Sequence, residues 1–207
     1  MSNGEIFADI AGRYDRLNRI LSLGRDQAWR RTAVDRLPAG RILDLGAGTG
    51  AANAILGDRI IVALDPAPEM LALNDAHHRV VGVGEALPFG DGSFDAVLSA
   101  YVFRNLDSVE GTMSEIHRVL RPGGRAGIVD LSRPEGGFQR RLHRFGTAIT
   151  LPIAGATIGA RDEYTYPHHS LDKHPAPEEL LASTPLRLVE SWRMGPMGFV
   201  WGAVLEK

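Results

Sequence analysis

The stretch Leu43-Asp44-Leu45-Gly46-Ala47-Gly48-Thr49-Gly50 decides the fold of this chain. It follows a short apolar segment, Arg41–Leu45, that predicts a strand, and it opens a segment, Thr49–Leu56, that predicts a helix. Glycines carry no side chain, so the backbone of such a strand-to-helix turn can pass close to a ligand. The alternative is a tight turn that binds nothing.

The segments on either side of this turn alternate between predicted strands and predicted helices. This order predicts a parallel sheet with helices on both faces, and ligands of such sheets bind at the carboxyl ends of the strands. The further predicted strands are Arg59–Leu64, Arg79–Val83, Phe94–Ser99 and Arg125–Leu131, and the further helices are Pro66–Asn74 and Asp107–Leu120. Beyond them the sequence predicts helices at Phe138–Ile149 and Pro177–Ala182, and an antiparallel pair of edge strands at Arg187–Arg193 and Phe199–Leu205.

The composition of the 207-residue chain excludes several classes of protein. The absence of cysteine excludes a disulfide framework, a thiolate zinc site and a cysteine nucleophile. A formal net charge of −2 does not fit a globally basic nucleic-acid binder. No apolar run is long enough to span a membrane, and the N-terminus lacks the pattern of a signal peptide. We therefore expect a cytoplasmic protein without a nucleic-acid partner. The His, Asp and Glu spacings also predict no metal site.

Two aspartates indicate which ligand the glycine turn would bind. Asp65 ends the next predicted strand, where its carboxylate can accept hydrogen bonds from both hydroxyls of a ribose. The run Gly46–Ala51 also fits a loose dinucleotide fingerprint. Asp44, however, lies two residues before the first glycine, where its negative charge would repel a pyrophosphate and attract an amino-acid ammonium group. A nicotinamide enzyme is therefore the least favoured interpretation.

Further motifs surround the glycine turn. Downstream of it lie Ala86-Leu87-Pro88-Phe89, Asp91-Gly92-Ser93-Phe94-Asp95 and Arg118-Val119-Leu120-Arg121-Pro122-Gly123-Gly124-Arg125. A second set comprises Tyr14-Asp15, Asn18, Ser22, Gly24, Trp29 and Arg30, then Arg104-Asn105, Asp130-Leu131-Ser132, Tyr164, Tyr166 and Ser170. With the first set the chain resembles the class I S-adenosylmethionine (SAM)-dependent methyltransferases. With the second it is similar to the ubiquinone/menaquinone-biosynthesis C-methyltransferase family over about residues 6–175.

This resemblance implies a Rossmann-like class I methyltransferase fold of the α/β class. Such a fold has a mostly parallel seven-stranded sheet, an antiparallel last strand and helices on both faces. We predict one domain over residues 1–207, with an N-terminal helical cap (1–38), a SAM-binding core (39–135), and a substrate-covering segment with the C-terminal strands (136–207).

The resemblance also implies a reaction. It is the SAM-dependent C-methylation of a demethylmenaquinol-type or related quinol, with S-adenosylhomocysteine (SAH) as the second product. One alternative is a SAM-dependent methyltransferase that acts on another small phenolic or natural-product acceptor. A second is a protein of this fold that binds SAM without transferring a methyl group.

The same resemblance assigns roles to individual residues. The expected SAM-binding residues are Tyr14, Asp44, Gly46, Gly48, Thr49, Asp65, Pro66, Val83, Gly84, Glu85, Ala100 and Tyr101. Thr49 and the glycines would hold the methionine part, and Asp65 the ribose. Val83 stands where the family usually has Asp or Asn, so its side chain cannot bond the adenine amino group, and Glu85 is the expected substitute. For Tyr14 the alternative is packing in the core.

Four residues are candidates for the chemistry on the acceptor. Arg104, whose guanidinium is always charged, would stabilise a quinol phenolate, unless it forms a surface salt bridge. Asn105 would orient a hydroxyl group or a water, unless it caps a loop or helix. Tyr166 would bond a substrate oxygen or simply pack. His169 would act as the general base, unless it is an exposed loop histidine.

Residues 138–161 predict a contact with a membrane surface. They contain four arginines and no acidic residue, and the arginines flank a largely apolar segment. A basic helix beside such a segment can rest on an anionic membrane, where it would admit the tail of a prenylated quinol. In the alternative, the helix packs on the sheet and the apolar segment closes the pocket or forms a homodimer contact.

Overall fold

The strands predicted around the glycine turn lie side by side in one sheet. The structure, a computed structural model, describes residues 22, 24–132, 137, 177–182 and 184–207. Its strands are β1 (Arg41–Leu45), β2 (Ile60–Asp65), β3 (His78–Val81), β4 (Phe94–Ala100), β5 (Leu120–Leu131), β6 (Arg187–Met194) and β7 (Val200–Glu206). In the described part of the chain the helices are α1 (Asp26–Val34), α2 (Asn53–Leu56), α3 (Pro68–Leu71), α4 (Val109–Val119) and α5 (Pro177–Ala182).

Seven strands of the described residues form the sheet in the order β3-β2-β1-β4-β5-β7-β6. Strands β1 to β5 pair in parallel, and β7 pairs antiparallel with both β5 and β6. The predicted mostly parallel sheet with an antiparallel last strand is therefore confirmed. The chain leaves β1 towards β2 on one side and later returns to β4 on the other. The carboxyl end of β1 is thus the topological switch point where such sheets bind ligands.

Both faces of the sheet are covered by apolar side chains. Successive residues of a strand point to opposite faces, so Leu43 and Val97 pack against α4 while their neighbours Ile42 and Leu98 pack against α1. Strand β4 is buried along nearly all its length, as expected for a central strand of a parallel sheet. The two cores fix the sheet that carries the switch point.

Several predicted boundaries differ from the structure. The predicted helix Thr49–Leu56 is reduced to α2, because Gly48 and Gly50 have φ of 51° and 88° and residues 49–52 form turns instead. The predicted helix Pro66–Asn74 is reduced to α3. Strand β5 begins five residues before the predicted Arg125, because a register shift opposite Phe94 and Ala96 lets the Arg121–Gly124 segment bulge.

Some expectations cannot be compared with these elements. The first helix of the predicted N-terminal cap and the predicted helix Phe138–Ile149 lie outside the described residues. No helix in the described part of the chain has the length and apolarity that a bilayer crossing requires.

Candidate active site

A cavity of about 410 Å³ opens at the carboxyl edge of the sheet, beside the end of β1. Its walls are the glycine turn, the ends of β2 and β4, the segment after β3 and the turn after β4. Most residues that sequence analysis assigned to SAM line it, namely Gly46, Gly48, Thr49, Asp65, Pro66, Val83, Gly84, Glu85, Ala100 and Tyr101, and Asn105 lines it too. The fold thus brings together residues that are far apart in the chain at the place where α/β sheets bind ligands.

The glycine turn is held in shape by hydrogen bonds with β2, with α1 and with the segment that follows α3. The carbonyl of Leu64 in β2 accepts the N–H of Gly46 at 2.8 Å. The Asn74 side-chain amide, which is almost fully buried, donates to the carbonyl of Gly48 at 3.1 Å. Gln27 of α1 donates to a carbonyl just past the turn at 2.9 Å. The turn is therefore fixed before any ligand arrives.

Asp65, at the end of β2, presents its carboxylate to the cavity in a fixed orientation. Its Oδ2 accepts the N–H of Gly48 at 2.9 Å, and its Oδ1 accepts the N–H of Ala67 at 2.9 Å. A carboxylate has about four lone-pair positions, so each oxygen can still accept a ligand hydroxyl. Asp65 is thus oriented to bind a diol such as a ribose.

Arg30 of α1 puts a positive charge in the cavity wall. Its side chain is 8% exposed, and it donates to Asp26 Oδ2 at 2.7 Å. Its guanidinium lies over the ring of Tyr101, with Cζ 4.8 Å from the ring centroid. In the sequence, Arg30 is part of the N-terminal motif and has no predicted role of its own. The structure makes it a lining residue.

Asp44 is buried behind the glycine turn at the end of β1. Its Oδ2 has no hydrogen-bond partner in the described part of the chain, and Asp44 is not among the lining residues there. Burial raises the pKa of Asp44 to about 7; the negative charge of Asp65 adds to this, and the positive charge of Arg30 opposes it. Arg30, in the cavity wall, and Asp44, behind it, are therefore close enough for their charges to interact.

Tyr101 forms a strained corner where the chain leaves β4. Its φ is 67°, a left-handed conformation that costs a non-glycine residue about 1–3 kcal/mol. Its N–H still donates to Val129 of β5 at 2.7 Å, which extends the sheet by one residue. The corner turns Val102 back against Gly46, where a side chain on the glycine would collide with it. Burial also raises the pKa of the Tyr101 hydroxyl.

The segment after β3 forms another wall of the cavity. Val83 is 46% exposed and lines the cavity. Gly84 approaches α4 so closely that a Cβ would lie 2.9 Å from the Thr112 side chain. Glu85 Oε1 accepts the backbone N–H groups of Asp107 and Ser108 at 2.9 and 3.1 Å. One oxygen of Glu85, the expected substitute for the missing polar side chain at 83, is therefore engaged at the start of α4.

Arg104 and Asn105 sit in a short 3-10 turn, Phe103–Asn105. Arg104 donates to Asp130 Oδ1 at 2.9 Å; its side chain is 8% exposed and that of Asp130 is completely buried. Asn105 is exposed and lines the cavity, whereas Arg104 is not among the lining residues in the described part of the chain. The alternative predicted for Arg104 was a salt bridge on the surface. Arg104 does form a salt bridge, with Asp130, but the pair is buried.

The structure adds lining residues that the sequence did not assign a role. They are Arg30, Met70, Val102, Leu106 and Asp107, among others. Arg30 and Asp107 could have been suspected, because the first belongs to the N-terminal motif and the second closely follows Arg104-Asn105. Tyr14, Tyr166 and His169 lie outside the described residues, so their roles stay predictions. Among the described residues no group of three or more His, Asp or Glu side chains could hold a metal ion.

The fold and the cavity together define the class of protein. The sheet order, the antiparallel last strand, the glycine turn and the aspartate at the end of β2 are those of a class I methyltransferase. The sequence profile of the ubiE/COQ5 methyltransferase family matches residues 2–184. The chain belongs to this family.

Curated relatives agree with the family assignment. A demethylmenaquinone methyltransferase of Thermus thermophilus is 40% identical over 194 residues, covering 86% of this chain and 88% of the relative. A ubiquinone/menaquinone biosynthesis C-methyltransferase of Geobacter sulfurreducens is 35% identical, covering 86% of this chain and 77% of the relative. The chain is therefore similar to these enzymes over most of its length and theirs.

Solved structures support the fold. A SAM-dependent methyltransferase of Thermotoga maritima superposes with a TM-score of 0.67 at 20% identity, covering 98% of this chain and 99% of that one. A TehB-like SAM-dependent methyltransferase of Corynebacterium glutamicum gives a TM-score of 0.64 at 20% identity, covering 99% of this chain and all of that one. At this identity the likeness concerns the fold alone.

Proposed function

We propose that this protein transfers the methyl group of SAM to a ring carbon of a demethylmenaquinol-type or related quinol and releases SAH. Its similarity to demethylmenaquinone methyltransferases over most of the chain supports the reaction and the acceptor. The observation that carries the proposal is the cavity at the switch point, which joins the glycine turn and Asp65 to the Tyr101–Asn105 turn. SAM bound at the glycine turn and Asp65 would meet a methyl acceptor bound at the Tyr101–Asn105 turn in the same cavity.

The nucleoside part of SAM fits the described residues. Asp65 is the diol acceptor for the ribose, because backbone N–H groups already orient both of its oxygens. The absence of a side chain at Gly48 leaves room, since a Cβ there would approach only Met70, at 3.8 Å. We propose that these residues, with Thr49 and Pro66, hold the ribose and its 5′ side.

The amino-acid part of SAM is a zwitterion, and a guanidinium in the cavity wall lies near a buried carboxyl group. Arg30 lies in the wall, and one of its nitrogens is bonded to Asp26. Asp44 is buried close enough for the charge of Arg30 to act on its pKa. We propose that Arg30 attracts the carboxylate and that Asp44 attracts the ammonium group, because opposite charges interact strongly where water is excluded.

When bound, SAM supplies an electrophilic methyl group on a sulfonium cation. The protein's contribution to such a transfer is chiefly alignment of the two reactants. Ala100 and Tyr101 line the cavity between the glycine turn and Asn105, and we propose that they border the transferred group. Loss of the phenolic proton makes the neighbouring ring carbon of a quinol nucleophilic. A bond from that carbon to the methyl group would form as the C–S bond breaks, with the electron pair of the C–S bond left on the sulfur of SAH. Transfer of the hydrogen of that ring carbon, as a proton, back to the quinol oxygen would restore the aromatic ring.

The acceptor-side residues remain proposals. Asn105, in the cavity wall, would orient the quinol hydroxyl. Arg104 would favour the phenolate, and its ion pair with Asp130 fixes the turn that carries Asn105. Tyr166 would bond a quinol oxygen, and His169 would take the phenolic proton.

We also propose that the protein works in the cytoplasm at a membrane surface, with residues 138–161 as the contact. The basic and apolar composition of that segment supports this, as does the lipid nature of prenylated quinols. Co-sedimentation with vesicles of anionic lipid at low salt tests it, and no co-sedimentation would remove the membrane contact. A homodimer contact through the same segment is the alternative, and sedimentation velocity would detect it.

The central experiment is the transfer of labelled methyl from SAM to a reduced, short-tailed demethylmenaquinol, with the oxidised quinone as the matched control. Transfer to the quinol alone is expected, because only the quinol has a phenolic hydroxyl to ionise. SAM binding without any transfer would point to a different small-molecule acceptor. Transfer to the quinone would contradict the phenolate mechanism.

A further inference from the structure

The wall around Val83 has to recognise the base of the methyl donor if the ribose is held at Asp65. The base lies on the other side of the ribose from the amino acid, which the proposed function places at Arg30. The next strand end along the sheet edge after Asp65 is that of β3, because β3 pairs with β2. The base therefore lies against Val83, Gly84 and their neighbours.

Val83 supplies an apolar contact but no polar one. Its side chain is 46% exposed at the cavity, so it can cover the face of a flat ring. Its carbonyl accepts the N–H of Ala86 at 3.4 Å, within the turn that follows. Gly84 cannot carry a side chain, because the position of its Cβ is filled by Thr112 of α4. Neither Val83 nor Gly84 has a side chain that can form a hydrogen bond with the edge of a base.

Glu85 is engaged in holding the start of α4. Its Oε1 accepts two backbone N–H groups, those of Asp107 and Ser108. Exposed N–H groups at a helix start favour a negative charge. If the Glu85 carboxylate moved towards a ligand, the N–H groups of Asp107 and Ser108 would lose their hydrogen-bond acceptor. Glu85 is therefore an unfavourable reader of the base.

Asp107 is the other acidic residue in the same wall. It lines the cavity with Val83, Gly84 and Glu85 and is exposed. Its backbone N–H is tied to Glu85 at 2.9 Å, which fixes where its side chain starts. In the described part of the chain no hydrogen bond or ion pair involves its carboxylate. Asp107 therefore offers a hydrogen-bond acceptor at the rim of this wall.

We propose that Asp107 reads the 6-amino group of adenine and so selects the nucleobase of the methyl donor. The amino group is a donor and a carboxylate is an acceptor, so an adenine base is favoured. A 6-oxo purine such as hypoxanthine presents an acceptor at the same place and is disfavoured. This inference rests on the proposed function only in that the ligand is SAM or SAH.

The test is calorimetric binding of SAH and of S-inosylhomocysteine, which differs only in its 6-oxo base. No acceptor is needed, so the result does not depend on turnover. The variants are Asp107→Ala, Glu85→Gln and the matched control Glu110→Ala, which removes another exposed acid in the first turn of α4. A melting curve for each variant establishes that it is folded.

The wild-type protein should bind SAH at least tenfold more tightly than S-inosylhomocysteine. Asp107→Ala should weaken SAH binding about tenfold and leave S-inosylhomocysteine binding within twofold, since only adenine loses a hydrogen bond to a charged group. Glu110→Ala should change neither affinity. In an Asp107→Ala background, Val83→Asp should restore the preference for adenine by returning a carboxylate to the wall.

Unchanged SAH binding in a folded Asp107→Ala variant would overturn this proposal, as would a loss of discrimination in Glu85→Gln alone. Failure of the wild-type protein to bind SAH would instead refute SAM as the donor, and with it the proposed function. Normal SAH binding with no quinol methylation would refute only the acceptor. The three failures are therefore distinguishable.

Discussion

Two walls of the cavity are built by different kinds of interaction. The donor wall, formed by residues 46–50 and Asp65, is held by hydrogen bonds among backbone groups, the Asn74 amide and the Asp65 carboxylate. The turn wall, to which Tyr101, Val102 and Asn105 belong, contains the strained backbone of Tyr101 and is supported from behind by the buried ion pair of Arg104 and Asp130. A hydrogen-bonded wall is stable before it binds, whereas a buried ion pair is costly to break once it has formed. Substitutions should therefore affect ligand binding at the first wall, and stability and turnover at the second.

The largest effect is expected from breaking the ion pair of the turn wall. Asp130→Asn removes the buried carboxylate that pairs with the guanidinium of Arg104 and should lower the free energy of unfolding by about 3–5 kcal/mol. Urea denaturation measures this. Asp91→Asn is the control, because Asp91 is 81% exposed and its partner Arg118 also pairs with Glu115. This substitution should lower the free energy of unfolding by less than about 1 kcal/mol. Equal effects of the two substitutions would contradict the comparison of the walls.

The next effect concerns the donor wall. Asp65→Ala removes the diol acceptor and two hydrogen bonds to backbone N–H groups, and it should weaken SAH binding about 100-fold, or about 2.7 kcal/mol. Isothermal titration calorimetry measures it. The exposed Asp58→Ala serves as the control. A folded Asp65→Ala variant with nearly wild-type affinity would refute the assignment of the ribose to Asp65.

A smaller effect should follow from the titration of Asp44. Its pKa is about 7 in the folded protein against an ordinary value of 3.8, so between pH 4 and 7 the folded state binds more protons than the unfolded state. Stability must then fall as pH rises through this window, by about 1 kcal/mol between pH 6 and 7. Comparing urea denaturation of the wild-type protein with that of Asp44→Asn isolates this slope. In the variant this decrease in the free energy of unfolding between pH 6 and 7 should be absent. The same decrease in both proteins would show that Asp44 does not titrate in this pH range.

The smallest expected effect concerns the start of α4, where the segment after β3 meets the turn wall. Ser108 is the N-cap of this helix, and its hydroxyl accepts the N–H of Gly111 at 3.0 Å. Ser108→Ala should lower the free energy of unfolding by about 0.5–1 kcal/mol. Ser108→Thr should retain most of the stabilisation, because the threonine hydroxyl can also accept the N–H of Gly111. SAH affinity should change little, because Glu85 still holds the first N–H groups. A large loss of SAH affinity would mean that the cap, rather than Glu85, positions Asp107.

The donor wall could largely be predicted from the sequence. Glycines after an apolar strand, followed by an acid at the end of the next strand, are local patterns, and the strand prediction Arg41–Leu45 is confirmed to the residue. The predicted helix after the glycines was too long, because apolar periodicity does not report the left-handed conformation of Gly50. The sequence also gave no sign of Asn74, whose buried amide braces the turn from beyond α3.

The turn wall could be predicted only in part. The Arg104-Asn105 motif marked the right place, but the ion pair joins Arg104, in the turn after β4, to Asp130 of β5, which lies 26 residues further along the chain. The left-handed backbone of Tyr101 is uncommon for an aromatic residue, so no propensity indicates it. Arg30 reaches the same corner from α1, and only the packing of that helix on the sheet brings it there.

The sequence by itself determined the alternation of strands and helices, the glycine turn and the order in which acidic residues follow the strands. These features depend on periodicity and on residues that are neighbours in the chain. The tertiary structure decided what each charged side chain contacts. Arg30 lies over the ring of Tyr101, Arg104 pairs with Asp130, and Glu85 accepts N–H groups at the start of α4. Such contacts depend on how sheet and helices pack, because a side chain's partner is set by distance in space and not by distance along the chain.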